Sequence, residues 1–210
     1  MNRQHERGVR GQVSTEHQVQ LFDDVESLTE TVTAFLFEGW QRGETLLVVA
    51  RPENWALISR RLAADGCPVD DEIASERLVV LDAATTLATF LRNGHPVPER
   101  FAQKAGRLVE RLSKQSRTRL RMYGEMVDIL AAHGEFASAQ ELERLWNELG
   151  CLYSLTLLCG YSSGHFGDPR TAGALRDICQ THDRATAKPT DLLGSWLLAD
   201  RRSRYHTDAP

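Results

Sequence analysis

Residues 45–50 read TLLVVA, an unbroken run of apolar and β-branched side chains between Glu44 and Arg51. A strand of this kind has no polar face, so it must be covered on both sides, as strands are in a parallel sheet sandwiched between helices. Upstream, SLTETVTAFLFEGWQRG (27–43) places Leu28, Val32, Phe35, Leu36 and Gly39 on one helical face and stops at Gly43. HQVQLF (17–22) precedes it as a short strand, with Asp23 and Asp24 as caps of the helix.

The same alternation continues downstream. ENWALISRRLAA (53–64) is helical, and RLVVLDA (77–83) is a third strand. TLATFLRNG (86–94) has a helical apolar face of Leu87, Phe90 and Leu91, and after a turn at Pro96–Pro98 the spacing of Phe101, Ala105, Leu108, Val109 and Leu112 continues a helix. RTRLRMYG (117–124) is a fourth strand, MVDILAAHG (126–134) and SAQELERLWNELG (138–150) are two helices, LYSLTLLCGY (152–161) is a fifth strand, and DPRTAGALRDICQTH (168–182) is a last helix. Crossovers this long return the chain to a parallel neighbour. The expected fold is a three-layer α/β domain with a mostly parallel central sheet flanked by helices. In such sheets ligands sit beyond the carboxyl ends of the strands, which draws attention to Phe22–Asp24, Arg51–Glu53, Asp82, Tyr123–Glu125 and Cys159–His165.

The 210 residues suit one domain, and 41% hydrophobic with 26% charged residues is a globular composition. Residues 1–16 are a polar arm without the apolar core of a secretory signal, and no apolar run approaches the ~20 residues of a membrane helix, so the expected compartment is the cytoplasm. A net charge of −4 and pI near 6.0 give no reason to expect a nucleic-acid partner. Arg117, Arg119 and Arg121 alternate with Thr118, Leu120 and Met122, the pattern of a solvated or rim face. Residues 184–210 read as a tail with a short apolar patch at Leu192, Leu193, Trp196, Leu197 and Leu198.

Several chemistries are missing. The turn FDDVESL after the first strand has two aspartates and no lysine where a phosphate loop would need G-x-x-x-x-G-K-[ST]. The glycines of GYSSGHFG (160–167) read as turn formers supplying positive φ. The cysteines Cys67, Cys151, Cys159 and Cys179 form no C-x-x-C pair, and Cys179 with His182 offers two ligands where zinc needs at least three, so no metal or cofactor is expected. Cys159 is either a small buried hydrophobe or the thiol of a pair with His165. Trp146 reads as core, and Glu143 and Glu148 as the solvated edge of its helix. Glu125, directly after a strand, is a ligand clamp, the first acid of the next helix or, least favoured without a phosphate loop or nucleophile beside it, a catalytic base.

YGEMVDILAAHGEFASAQELERLWNELG (123–150), with YSLTLLCGY and ICQTH after it, resembles the MEDS family, the methanogen/methylotroph DcmR sensory domain, over His17 to His182. The resemblance implies a RecA/KaiC-like domain that has lost its phosphate loop and senses small organic molecules, such as hydrocarbon derivatives, in transcriptional regulators and signalling proteins. It places Glu125 near the metal-binding acid of the related ATPases, and it departs from the family at Phe22, where a tyrosine is common. The resulting expectation is a non-catalytic sensory domain over 17–183 whose ligand touches His17, Phe22, Tyr123, Glu125, Cys159 and Tyr161. Its output would pass to a regulatory protein or a second copy, with no direct nucleic-acid or membrane contact. Two alternatives are a residual nucleotide hydrolase using Glu125 and a purely structural interaction module.

Overall fold

The structure, a computed structural model, describes residues 15–116 and 118–187. Its first half comprises β1 (Glu16–Phe22), α1 (Val25–Gln41), β2 (Thr45–Ala50), α2 (Pro52–Ala64), α3 (Val69–Ala74), β3 (Leu78–Asp82), α4 (Ala83–Ala88), β4 (Leu91–Arg92) and β5 (His95–Pro96). α5 (Pro98–Phe101), a π-helical turn (Ala102–Gly106) and α6 (Arg107–Gln115) then follow one another without a break. β6 (Leu120–Gly124), α7 (Met126–Ala132), α8 (Phe136–Gly150), β7 (Leu155–Ser162), two 3₁₀ turns (Ser163–Phe166 and Pro169–Thr171), α9 (Ala172–Gln180) and β8 (Arg184–Ala187) complete it.

The central sheet has the order β3-β2-β6-β7-β1-β8 and every pairing in it is parallel. All six residues of β2 are buried, as an apolar run with no polar face requires. Alternate side chains feed two cores. Leu46, Val48 and Ala50 join Leu28, Val32 and Leu36 of α1 and Ile58 and Leu62 of α2. Leu47 and Val49 join Met126 and Val127 of α7, Leu142, Leu145 and Trp146 of α8 and Leu175 and Ile178 of α9. Asp24 caps α1, accepting the Ser27 backbone N–H at 2.7 Å, and Trp146 is a core residue.

Three readings need correction. Residues 184–187 belong to the sheet rather than to a tail, because β8 pairs with β1 from Gln18↔Arg184 to Leu21↔Ala187; the apolar patch at 192–198 lies outside the described residues. Leu91 is not helical: α4 ends at Ala88, and Asn93 and Gly94 adopt positive φ to turn the β4–β5 hairpin. Arg121 is not on a solvated face. It is buried, with Nε donating to Glu44 Oε2 at 2.5 Å, Nη1 donating to Glu38 Oε2 at 3.0 Å and to the Phe35 carbonyl at 3.1 Å, and its guanidinium carbon 4.6 Å from the Phe35 ring centroid. Two carboxylates, a carbonyl and a π face supply what a buried cation requires.

Gly39 makes the space for that arginine. A Cβ there would lie 2.5 Å from Arg121 Cδ, a side chain held at its far end by two acids. Gly39→Ala is therefore expected to destabilise the domain by about 1–3 kcal/mol through overpacking, outweighing the roughly 1 kcal/mol by which alanine is the better helix former. A lowered urea midpoint at unchanged m value is the expected reading; a midpoint at or above wild type would show that Arg121 is free to move.

Candidate functional site

Two buried polar networks, distinct from the Arg121 cluster, lie on different elements, and the six expected ligand residues fall on both faces of the sheet. On β1 and β7 the side chains of His17, Cys159 and Tyr161 project into the layer under α8 and α9, whereas Tyr123 and Phe22 face the α1–α2 layer. The period of two along each strand imposes this: Cys159 and Tyr161 share parity with Leu157, and Tyr123 has the parity of Arg121. A single pocket lined by all six is therefore not formed.

The first network closes the carboxyl ends of β2, β6 and β7. Because β2 and β6 are paired neighbours, Arg51 arrives beside Glu125 although 74 residues separate them. Glu125 is fully buried. Its Oε2 accepts from the Arg51 backbone N–H at 3.1 Å, from Arg51 Nη1 at 3.1 Å and from Asn54 Nδ2 at 2.9 Å, and its Oε1 accepts from the Tyr123 hydroxyl at 3.1 Å. Burial pushes the Glu125 carboxyl above the ordinary carboxylate range, and these donors offset only part of that. Burial, then the nearby Glu125 charge, raises the Tyr123 phenol well above its usual value. Arg51 Nη2 also reaches Asp128 Oδ2 at 2.8 Å, and Asp128 Oδ1 accepts from the Ser162 backbone N–H at 2.7 Å and meets His165 Nε2 at 3.0 Å. The cationic partner of Glu125 is thus Arg51. His165 faces Asp128, not Cys159.

The second network is centred on Glu143, which was read as an edge residue and is fully buried. Its Oε2 lies 3.2 Å from His17 Nε2 and accepts from Cys159 Sγ at 3.3 Å; its Oε1 accepts from the Tyr161 hydroxyl at 2.9 Å and lies 3.3 Å from His182 Nε2. The signal was present in the sequence: Glu143 is four residues after Ala139 and three before Trp146, inside the apolar stripe of α8. His182 is brought to Glu143, and Cys179 is not a member of this group. Burial pushes the Glu143 carboxyl up, but the histidines, His182 first, draw it further down, to below the ordinary carboxylate range. Burial acts to lower the His17 pKa, and hydrogen bonding and attraction to Glu143 more than reverse it, so His17 ends above its ordinary value. Cys159 and Tyr161 are driven well above theirs, by burial first and the Glu143 charge second. A sealed, protonated thiol is a poor nucleophile.

Gly160 separates the networks. It does not have the positive φ read for it; a Cβ would stand 3.1 Å from the Tyr123 hydroxyl and 3.5 Å from Phe22, so the missing side chain admits Tyr123 to Glu125.

A cavity of about 210 Å³ lies toward the carboxyl ends of β2 and β3. Leu47, Val49, Leu81, Leu108, Met126 and Trp146 line it together with Lys104 and Ala105 of the π-helical turn. None of the six residues expected from the sequence lines it.

The all-parallel sheet with helices on both faces, an Asp-capped turn in place of a phosphate loop and polar networks buried at the sheet define a parallel α/β domain without a phosphate-binding loop. Residues 16–183 match the family described as MEDS: MEthanogen/methylotroph, DcmR Sensory domain, and the chain belongs to that family. No curated protein matches it. Among the described residues no helix is long and apolar enough to cross a membrane.

Proposed function

We propose that this chain is a non-catalytic sensory domain that binds a small organic ligand, of the hydrocarbon-derivative class, in the cavity between β2, β3, α8 and the π-helical turn, and passes occupancy to a regulatory protein partner. The observation that carries the reading is the cavity itself. At about 210 Å³ it exceeds the ~150 Å³ void that holds benzene and falls below the ~300 Å³ at which drug-sized pockets begin. Its walls are almost wholly aliphatic and aromatic, with Thr85, Thr86, Thr89 and Lys104 offering polar contacts. That chemistry selects a small, mainly apolar molecule with at most one or two polar atoms. π-helical turns recur at functional sites, and here one supplies part of the lining. Sensing is supported by connectivity: Met126 follows Glu125 directly, and Trp146 lies three residues after Glu143 on α8, so a molecule in the cavity touches neighbours of both buried networks.

The test is thermal denaturation of the full chain against a panel of short alcohols, ketones and haloalkanes, for wild type and Ala105→Leu, which fills the cavity. A ligand present at 100 times its Kd stabilises the native state by about 2.7 kcal/mol, which raises Tm for wild type; no shift is expected for Ala105→Leu. Equal shifts in both proteins would place binding elsewhere and overturn the reading.

A further inference from the structure

We propose that His17, His182, Glu143 and Cys159 form a closed binding site for one divalent transition metal of the zinc class. The inference stands independently of the ligand cavity, and either can fail without the other.

Four donor atoms from four separate elements converge: His17 Nε2 from β1, Glu143 from α8, Cys159 Sγ from β7 and His182 Nε2 from the turn after α9, all within 4.8 Å of one another and all buried. Three of them form a nearly equilateral triangle. His17 Nε2 to Glu143 Oε2 is 3.2 Å, His17 Nε2 to Cys159 Sγ is 3.3 Å, and Cys159 Sγ to Glu143 Oε2 is 3.3 Å. Ligands at about 2.0–2.3 Å from a tetrahedral zinc are separated by roughly 3.3–3.6 Å, so the triangle matches one face of the coordination polyhedron. His182 Nε2 is the fourth vertex, its ring 4.1 Å from that of His17.

The outer contacts orient the donors. His17 Nδ1 lies 2.8 Å from Asn147 Oδ1 and His182 Nδ1 lies 2.7 Å from the Ile178 carbonyl. Both acceptors place the ring proton on Nδ1, as the outer contacts of metal-bound histidines do, and turn each Nε2 inward. Asn147 is fixed in turn, its Nδ2 donating to the Thr181 carbonyl at 2.9 Å. With neutral rings, two Nε2 lone pairs face the oxygens of one carboxylate, an arrangement of acceptors that needs a cation between them. One ring proton, on His17, balances the carboxylate but leaves the His182 Nε2 lone pair turned toward it, and a second ring proton buries two positive charges against one negative. A divalent metal with the Glu143 carboxylate and the Cys159 thiolate gives zero net charge, the cheaper state in a site without water. Binding replaces the Cys159 thiol proton, which is released to solvent. Four protein ligands fill a tetrahedral shell, so the metal would act as a tie between β1, β7, α8 and the segment leading into β8, not as a catalyst. His17 and Asp183 are already joined there by two hydrogen bonds, His17 N–H to Asp183 Oδ2 at 2.8 Å and Asp183 N–H to the His17 carbonyl at 2.8 Å.

The experiment strips the purified full chain with chelator, adds back Zn²⁺ or Co²⁺, and measures bound metal by mass spectrometry and the cobalt form by absorption. One metal per chain is expected, with the intense visible bands of tetrahedral cobalt and a near-ultraviolet thiolate-to-cobalt band. Cys159→Ser should lose the thiolate band. Asn147→Ala, which removes the positioning contact to His17 and the bond to the Thr181 carbonyl beside His182 but no donor atom, should weaken zinc binding 10–100-fold. Should Cys159→Ser fail to fold, the wild-type cobalt spectrum decides alone. Absence of stoichiometric metal, an octahedral spectrum, or a thiolate band that survives in folded Cys159→Ser overturns the proposal.

Discussion

Glu143→Ala is expected to destabilise the domain by at least about 3–5 kcal/mol, the largest loss for any single charged residue here and a large fraction of the 5–15 kcal/mol that holds a typical domain together. Four groups meet at its two carboxylate oxygens, namely the rings of His17 and His182, the Tyr161 hydroxyl and the Cys159 thiol. All are buried, so removing the carboxylate leaves them facing a void that water does not reach. The substitution also places a cavity under α8 against β1 and β7. Urea denaturation followed by circular dichroism measures the effect. A loss below about 1 kcal/mol, the scale of an exposed ion pair, would mean that the site is wet or that its members pair elsewhere. Glu148 on the same helix is the internal control: its partner is the exposed Arg144, four residues earlier, and Glu148→Ala is expected to change stability by no more than about 0.5 kcal/mol.

The contrast between Glu143 and Glu148 shows where sequence reading succeeds and where it stops. Periodicity located the strands and long helices because a continuous apolar run such as Thr45–Ala50 and a helical stripe such as Leu142, Leu145, Trp146 and Leu149 leave few ways to bury themselves. It missed β8 because a four-residue edge strand of sequence RATA has almost no apolar content and forms only by pairing with β1. It also missed the division of the candidate site. His17, Cys159 and Glu125 belong near strands in any reading, yet which face each serves depends on strand parity and on the order β3-β2-β6-β7-β1-β8, and order is a long-range property. Arg51 meets Glu125 only because β2 and β6 are adjacent. Charged residues inside apolar stripes, Glu143 in α8 and Arg121 in β6, are the available signals of buried polar groups; reading them as edges conceals the Glu143 network and the Arg121 cluster.

Glu125→Ala and Glu125→Gln are expected to behave differently. Alanine leaves Asn54 Nδ2, the Tyr123 hydroxyl and the Arg51 backbone N–H without their acceptor, while Arg51 keeps Asp128; the cost should be about 3 kcal/mol, at the lower end of the range for breaking a buried pair. Glutamine keeps an oxygen for Asn54 and the Arg51 backbone N–H, turns its amide N–H₂ toward the Tyr123 hydroxyl, which then accepts, and has the same shape. Its effect turns on the direction in which the native site moves the carboxyl, which is upward. A folded-state pKa above the unfolded value means that the native state holds the proton more tightly, so this residue's contribution is fully present below the ordinary value of 4.5 and is lost as pH rises through the folded pKa. Near neutrality Glu125→Gln should therefore lie within about 1 kcal/mol of wild type. Relative to the variant, wild type should gain stability as pH falls toward 4.5. Urea midpoints at the two pH values decide it, and a Gln variant that gains on wild type as pH falls would mean that Arg51 and Asn54 outweigh burial. Because Met126, the next residue, lines the cavity, a sensory role for Glu125 adds a separate expectation: Glu125→Gln still binds the ligand, raising Tm as wild type does, but no longer alters partner binding. Unchanged transmission to the partner would confine Glu125 to holding β2 and β6 together.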